Sequence, residues 1–168
     1  VLVPEIALTP QTMDRFHSRF PEDIAVLHSG LSPGERYDQW WKIINGEYRL
    51  VIGSRSAIFA PQPDLGLVVI DEEHEWAYKQ NEGSPKYHAR DVSMHLAGIT
   101  KAAVILSSAS PEIESYQRAI RGRYEMAKLQ NRFKKVEVLS ENMEVSDNAL
   151  TSHMASVKVV DMREELKE

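Results

Sequence analysis

Four consecutive residues, Asp71-Glu72-Glu73-His74, carry the strongest chemical signal in the chain. They follow the apolar run Leu67-Val68-Val69-Ile70, so acidic side chains are delivered at the carboxyl end of a predicted buried strand. An aspartate there can ligate Mg2+ directly or through water, and the next glutamate can take a proton from an attacking water. His74 can hydrogen-bond to a neighbouring element and link nucleotide state to movement. The same four residues also read as a solvated acidic turn.

Other polar groups fall at equivalent places. Ser108-Ala109-Ser110 follows the apolar run Ala102–Leu106; parallel strands put their carboxyl ends on one edge, so Ser108 can meet His74 or the water network of a γ-phosphate, while Ser110 reads as a helix cap. Gly53-Ser54-Arg55-Ser56 offers a glycine, hydroxyls and a cation to a phosphate, or is a plain strand-to-loop transition. Thr9-Pro10-Gln11 opens a helix whose free N–H groups can face a phosphate. Between Trp76 and Arg90 aromatic and basic residues interleave. Exposed rings there stack on bases and cations meet the backbone, or Trp76 and Tyr87 pin the loop to the core. Lys79, Lys86 and Arg90 are expected at the surface. His88 and His95, seven residues apart, can share a helix face; no other histidine has metal-ligand spacing, so the histidines read as ordinary polar or packing residues. No Gly-x-x-x-x-Gly-Lys-Ser/Thr phosphate loop occurs anywhere in the chain, so it is expected to hold at most half of an ATP site.

The elements that position these groups follow from hydrophobic patterning. Val1–Val3, Ile24–Leu27, Leu50–Ile52, Leu67–Ile70 and Ala102–Leu106 are continuous apolar runs, as in strands covered on both faces. Between them lie helical signals. Thr9-Pro10 caps a helix running towards Phe20; Ser32-Pro33-Gly34-Glu35 is a capping box, followed by a Tyr37, Trp40, Trp41, Ile44 stripe ending near Gly46. A helix covers His88–Leu96, and Ser110-Pro111-Glu112 opens another with a stripe of Ile113, Tyr116 and Ile120. The alternation predicts an α/β fold with a mostly parallel sheet and helices on both faces.

The chain has 168 residues, 42% of them hydrophobic, and a formal net charge of -5, which argues mildly against a generally basic nucleic-acid module. Cysteine is absent, excluding disulfides and thiolate zinc sites in this segment. No stretch approaches the roughly 18 apolar residues of a membrane span. Val1-Leu2-Val3 is already a strand, which predicts that residues before Val1 belong to the same domain. Residues 133–156 read as a polar linker, or as an engineered join marked by Ser152-His153-Met154; 157–168 read as a strand and a helix start.

Taken together, these motifs resemble the first motor lobe of the PriA family, bacterial primosomal replication-restart helicases of the DExH group in superfamily 2. Val3-Pro4-Glu5-Ile6-Ala7-Leu8-Thr9-Pro10-Gln11 is similar to its motif Ia, Ile52-Gly53-Ser54-Arg55-Ser56 to motif Ib and Asp71-Glu72-Glu73-His74 to motif II. Ser108-Ala109-Ser110 stands where motif III usually reads Ser-Ala-Thr, and Tyr78-Lys79-Gln80 with Pro85-Lys86-Tyr87-His88-Ala89-Arg90-Asp91 resembles its aromatic-rich loop. The resemblance covers residues 1–132 and implies a RecA-like P-loop NTPase lobe that lacks its first strand. It implies ATP with Mg2+, no zinc here, and 3′-to-5′ unwinding in the bacterial cytoplasm, with single-stranded and forked DNA, other domains of the parent and replication-restart proteins as partners. Asp71 would help hold Mg2+, Glu72 activate water, and His74, Ser108 and Ser110 couple the site to DNA. Thr9, Gln11, Gly53, Ser54 and Arg55 would lie along the single strand, and Tyr78, Lys79, Lys86, Tyr87, His88 and Arg90 would sense it. Loss of a central P-loop strand is expected to leave a channel in the sheet and expose the strand of Leu106, inviting self-association. The alternative reading is a non-catalytic DNA-binding or protein-interaction module.

Overall fold

A computed structural model of the chain describes residues 1–129, 131–133 and 151–153. The chain divides into two units, Val1–Arg121 and Gly122–Glu168. In the first, strands β1 (Ile24–Leu27), β2 (Leu50–Gly53), β3 (Leu67–Ile70) and β4 (Ala103–Leu106) alternate with helices α1 (Pro10–His17), α2 (Pro33–Ile44), α3 (Ala89–Thr100) and α4 (Ile113–Ile120). In the second, β5 (Asn131–Phe133) pairs antiparallel with β6 (Thr151–His153), so Ser152 and His153 of the stretch read as a linker lie in a strand. The strand and helix expected over 157–168 lie outside the described residues.

Pairs β1·β2 and β3·β4 are both parallel, with Ile24 opposite Leu50 and Leu67 opposite Ala103. Leu2 joins them. Its N–H donates to Val69 O (2.7 Å), its carbonyl accepts from Asp71 N–H (2.9 Å), and Val3 N–H donates to Gly53 O (3.0 Å). The spatial order is therefore β1, β2, the Val1–Val3 segment, β3, β4. The expected channel is absent because Leu2 occupies the middle of the sheet. The outer side of β4 is an unpaired edge among the described residues, as anticipated.

Side chains alternate between two faces with the strand period. Leu2, Ala25, Leu27, Val68 and Ile70 face one core, shared with Ile43, Ala57, Ile58, Tyr78 and Ala89. Val3, Ile24 and Ile52 face the other, under Met13 and Phe16 of α1. Coverage on the α1 side stops short of β3 and β4: Leu67 is 49% and Ile105 50% exposed. Burial on both faces, expected for every strand, holds only for the first half of the sheet.

Local signals set the helix starts. Thr9 Oγ1 accepts from Thr12 N–H at 3.2 Å with Pro10 in the first turn. The capping box is complete: Ser32 Oγ accepts from Glu35 N–H (3.3 Å) and Glu35 Oε2 accepts from Ser32 N–H (2.9 Å). Two helix faces differ from the expected stripes. In α2 the buried residue is Ile43, while Tyr37, Trp40, Trp41 and Ile44 stay exposed. In α4 it is Ser115, with Ile113, Tyr116 and Ile120 exposed, and Ser110 makes no cap: the N-cap residue is Glu112.

Candidate nucleotide and DNA site

Parallel strands bring their following turns to one edge of the sheet, among them Pro4–Thr9, Gly53–Arg55, Asp71–His74 and Ser107–Ser110. The acidic turn is fixed by its neighbours. Asp71 is held by Leu2 through its N–H and by Tyr78, whose hydroxyl donates to Asp71 O at 2.7 Å. Burial, then the charges of Asp71, Glu75 and Glu72, raise the Tyr78 pKa far above the phenol range, so it stays a donor. Glu72 sits at φ +48°, a left-handed conformation that costs an ordinary residue about 1–2 kcal/mol. Its side chain is 46% exposed, 3.6 Å from His74 Nδ1. His74 Nδ1 lies 2.7 Å from Ser108 Oγ, with the ring tautomer deciding the donor; Ser108 Oγ also accepts from Ser110 N–H at 3.0 Å. The turn after β3 is thus tied to the turn after β4 through His74 and Ser108, while Ser110 contributes its backbone.

Among the described residues no group of three or more His, Asp or Glu side chains gathers around a metal position. That suits Mg2+, which commonly takes one or two carboxylates and completes its shell with water and substrate phosphates. No hydrogen bond or ion pair engages the Asp71 carboxylate among the described residues, and it stands at the strand's carboxyl end, so it fits that role.

Glu73, which the sequence reading left without a role, is 2% exposed and heavily bonded. Its Oε1 accepts from Glu112 N–H (2.7 Å), and its Oε2 from Ser115 Oγ–H (2.9 Å) and Arg90 Nη1 (3.4 Å). Arg90 also donates to Ser115 Oγ (2.9 Å), to Glu114 Oε2 (3.3 Å) and to Glu112. It is 3% exposed, which corrects the expectation of a surface cation reaching DNA: three carboxylates and a hydroxyl occupy its guanidinium. The spacing of Glu73, Arg90 and Glu112 gives no periodic signal; only a glutamate and an arginine flanking helix starts hint at it.

The other candidates divide. Tyr78, 1% exposed, has no free ring face to stack on a base and is a core residue. Arg55 Nη1 donates to Ala77 O (2.9 Å) and Lys79 O (3.0 Å), and its guanidinium lies 5.8 Å from the Tyr87 ring centre. Tyr87 packs edge-on against Phe59. Both therefore brace the loop, and only a surplus face remains for a ligand. Gly53 is buried between β1 and the turn at Ala57. His88 caps α3, its Nδ1 accepting from Arg90 N–H at 3.2 Å; burial and then the Arg90 charge lower its pKa. Thr9, Gln11, Lys79, Lys86 and, at 78%, Trp76 are exposed. Gln80 N–H to Tyr87 O (2.8 Å) and the Lys79–His88 bridge close the base of the 79–88 loop, on which both lysines are exposed.

The DEAD/DEAH box helicase family matches residues 1–119. The chain belongs to that family. Its fold is accordingly the RecA-like α/β type, with the parallel strands described above. The replication restart protein PriA of Bacillus subtilis is 50% identical over 167 residues, 99% of this chain and 19% of that protein. PriA of Synechocystis is 42% identical over 168 residues, covering 100% of this chain and 19% of that protein. PriA of Haemophilus influenzae is 44% identical over 132 residues, 79% of this chain and 18% of that protein. The chain thus spans about a fifth of the length of the curated relatives it matches. Among the described residues no helix is long and apolar enough to cross a membrane.

Proposed function

We propose that this chain is the part of an ATP-dependent, 3′-to-5′ DNA helicase that carries the hydrolysis turn and part of the single-strand track, working in replication restart at stalled forks in the bacterial cytoplasm. The family match and the PriA relatives support the class. The observation that carries the mechanism is the 2.7 Å contact between His74 and Ser108, which joins the acidic turn to the Ser-Ala-Ser turn. Asp71 would hold Mg2+, which when bound neutralises phosphate charge. Glu72 accepts the proton as water attacks the terminal phosphorus and the bond to the bridging oxygen breaks, releasing ADP. His74 and Ser108 pass the resulting change to β4 and α4. Thr9, Gln11, Ser54, Lys79 and Lys86 line the DNA side; Tyr78 and Arg90 hold that side in shape without touching DNA, and Arg55 and Tyr87 brace the loop with one face left for the strand. The 168-residue chain has no phosphate loop, and by itself it is expected not to hydrolyse ATP measurably.

A second reading, an interaction module, is favoured by the β4 edge, unpaired among the described residues, with Ile105 half-exposed, and by the exposed Ile113, Tyr116 and Ile120 of α4. Strand displacement separates them. The intact protein that carries this chain should unwind a forked duplex only with ATP and Mg2+, moving 3′ to 5′ on the bound strand. ATP-independent binding without unwinding would leave the module reading.

A further inference from the structure

Glu72 holds a backbone conformation that persists in an ordinary residue only where the surroundings over-determine it. Both of its neighbours are pinned. On one side Asp71 is bonded to Leu2 and Tyr78. On the other, Glu73 N–H donates to Ser107 O at 2.9 Å, and its buried carboxylate is held by the first turn of α4 and by Arg90 at the start of α3. A carboxylate and a guanidinium withdrawn from water to this extent carry a large desolvation penalty, offset only by well-formed partners. Packed apolar residues would give comparable stability, so charge at this place adds geometry: a fixed distance between the acidic turn, the β4 turn and the two helix starts.

We propose that Glu73 and Arg90 are positioning residues for Glu72, setting the direction of its carboxylate and of His74 without touching substrate. The proposal rests on the helicase reading only for its catalytic consequence; its structural half stands alone. Two arms test it separately.

In the 168-residue chain, amide hydrogen exchange is measured for Glu73→Gln and Arg90→Lys. The Glu73 amide, bonded to Ser107 O, and the Glu75 amide, bonded to Glu72 O, should exchange about tenfold faster, while the remote Leu50 and Ser54 amides keep their rates. Unchanged exchange at Glu73 and Glu75, or an equal rise at Leu50 and Ser54, overturns the proposal, since the pair would then be idle or merely support the whole fold. Should either single variant fail to fold, the double variant Glu73→Gln/Arg90→Gln removes both buried charges together, and native-like exchange at Glu73 and Glu75 in it refutes the positioning role.

In the intact protein, each single variant should lower kcat for ATP hydrolysis about tenfold with KM for ATP unchanged, the mark of an interaction made in the transition state. A raised KM with unchanged kcat counts against positioning. If Glu72→Gln itself leaves turnover intact, the helicase reading fails, and the exchange arm still decides whether Glu73 and Arg90 hold the turn.

Discussion

Replacing Tyr78 by phenylalanine removes one oxygen from the middle of the fold and tests whether this residue serves the core or the ligand. Tyr78 is 1% exposed, and its hydroxyl donates to Asp71 O at 2.7 Å. The ring keeps its packing in the variant, so no cavity term arises, and the loss is the hydrogen bond alone: ~1 kcal/mol, within a usual range of about 0.5–1.5. For a unit spanning Val1–Arg121 that is ~4 °C in Tm. Truncation to alanine would add the cavity and cost ~3–5 kcal/mol. Thermal and urea unfolding followed by circular dichroism read both changes, and fluorescence anisotropy with a labelled single strand reads binding. The expected pattern is a Tyr78→Phe variant that is less stable and binds DNA as before. Unchanged stability with weakened single-strand binding would refute the buried assignment and return Tyr78 to the DNA surface.

Three further outcomes follow from the same geometry. Gly53→Ala should destabilise the sheet by ~2 kcal/mol or more, because a Cβ there would collide with Leu27 O and come within 2.6 Å of Ala57 Cβ; an unshifted urea midpoint contradicts this. His88 has a folded pKa below the usual imidazole value, from burial first and the Arg90 charge second, opposed by Asp91, Glu112 and Glu73. The native state then binds fewer protons than the unfolded one, so this stability is present above about pH 6.5 and is lost as pH falls through the folded pKa. His88→Asn keeps a capping acceptor and should flatten that acid-side loss; an identical pH profile would exclude His88 as its source. Neutralising Lys79 and Lys86 together should weaken single-strand binding and lower the slope of its salt dependence by about 1.4, and unchanged salt dependence would remove these lysines from the track.

The strands were legible because apolar runs ending in Gly53 or Asp71 leave little choice, and the capping box at Ser32 because its side-chain chemistry is local. The His74–Ser108 contact was legible from topology alone: two parallel strands deliver their following turns to one edge. What was lost depended on tertiary context. Charged residues are normally read as surface, and Glu73 and Arg90 are buried because they meet each other and share partners in Glu112 and Ser115 across the fold. The same applies to Tyr78, whose neighbours Lys79 and Gln80 suggest a wet loop while Asp71 O draws its hydroxyl inward. In α2 the aromatic stripe is strong, yet the helix turns Ile43 to the sheet and leaves both tryptophans partly exposed; in α4 the bonds of Ser115 and Glu112 fix the rotation and override the Ile113–Tyr116–Ile120 face.

The most direct test of the hydrolysis turn is DNA-stimulated ATP turnover by the intact protein with Glu72→Gln. The side chain is 46% exposed and lies 3.6 Å from His74 Nδ1, so the variant should fold with unchanged Tm and still bind ATP. Turnover should fall about 100-fold or more, the scale of a lost general base. Turnover at the unsubstituted level, with or without DNA, would contradict the assignment of Asp71-Glu72-Glu73-His74 as the hydrolysis turn.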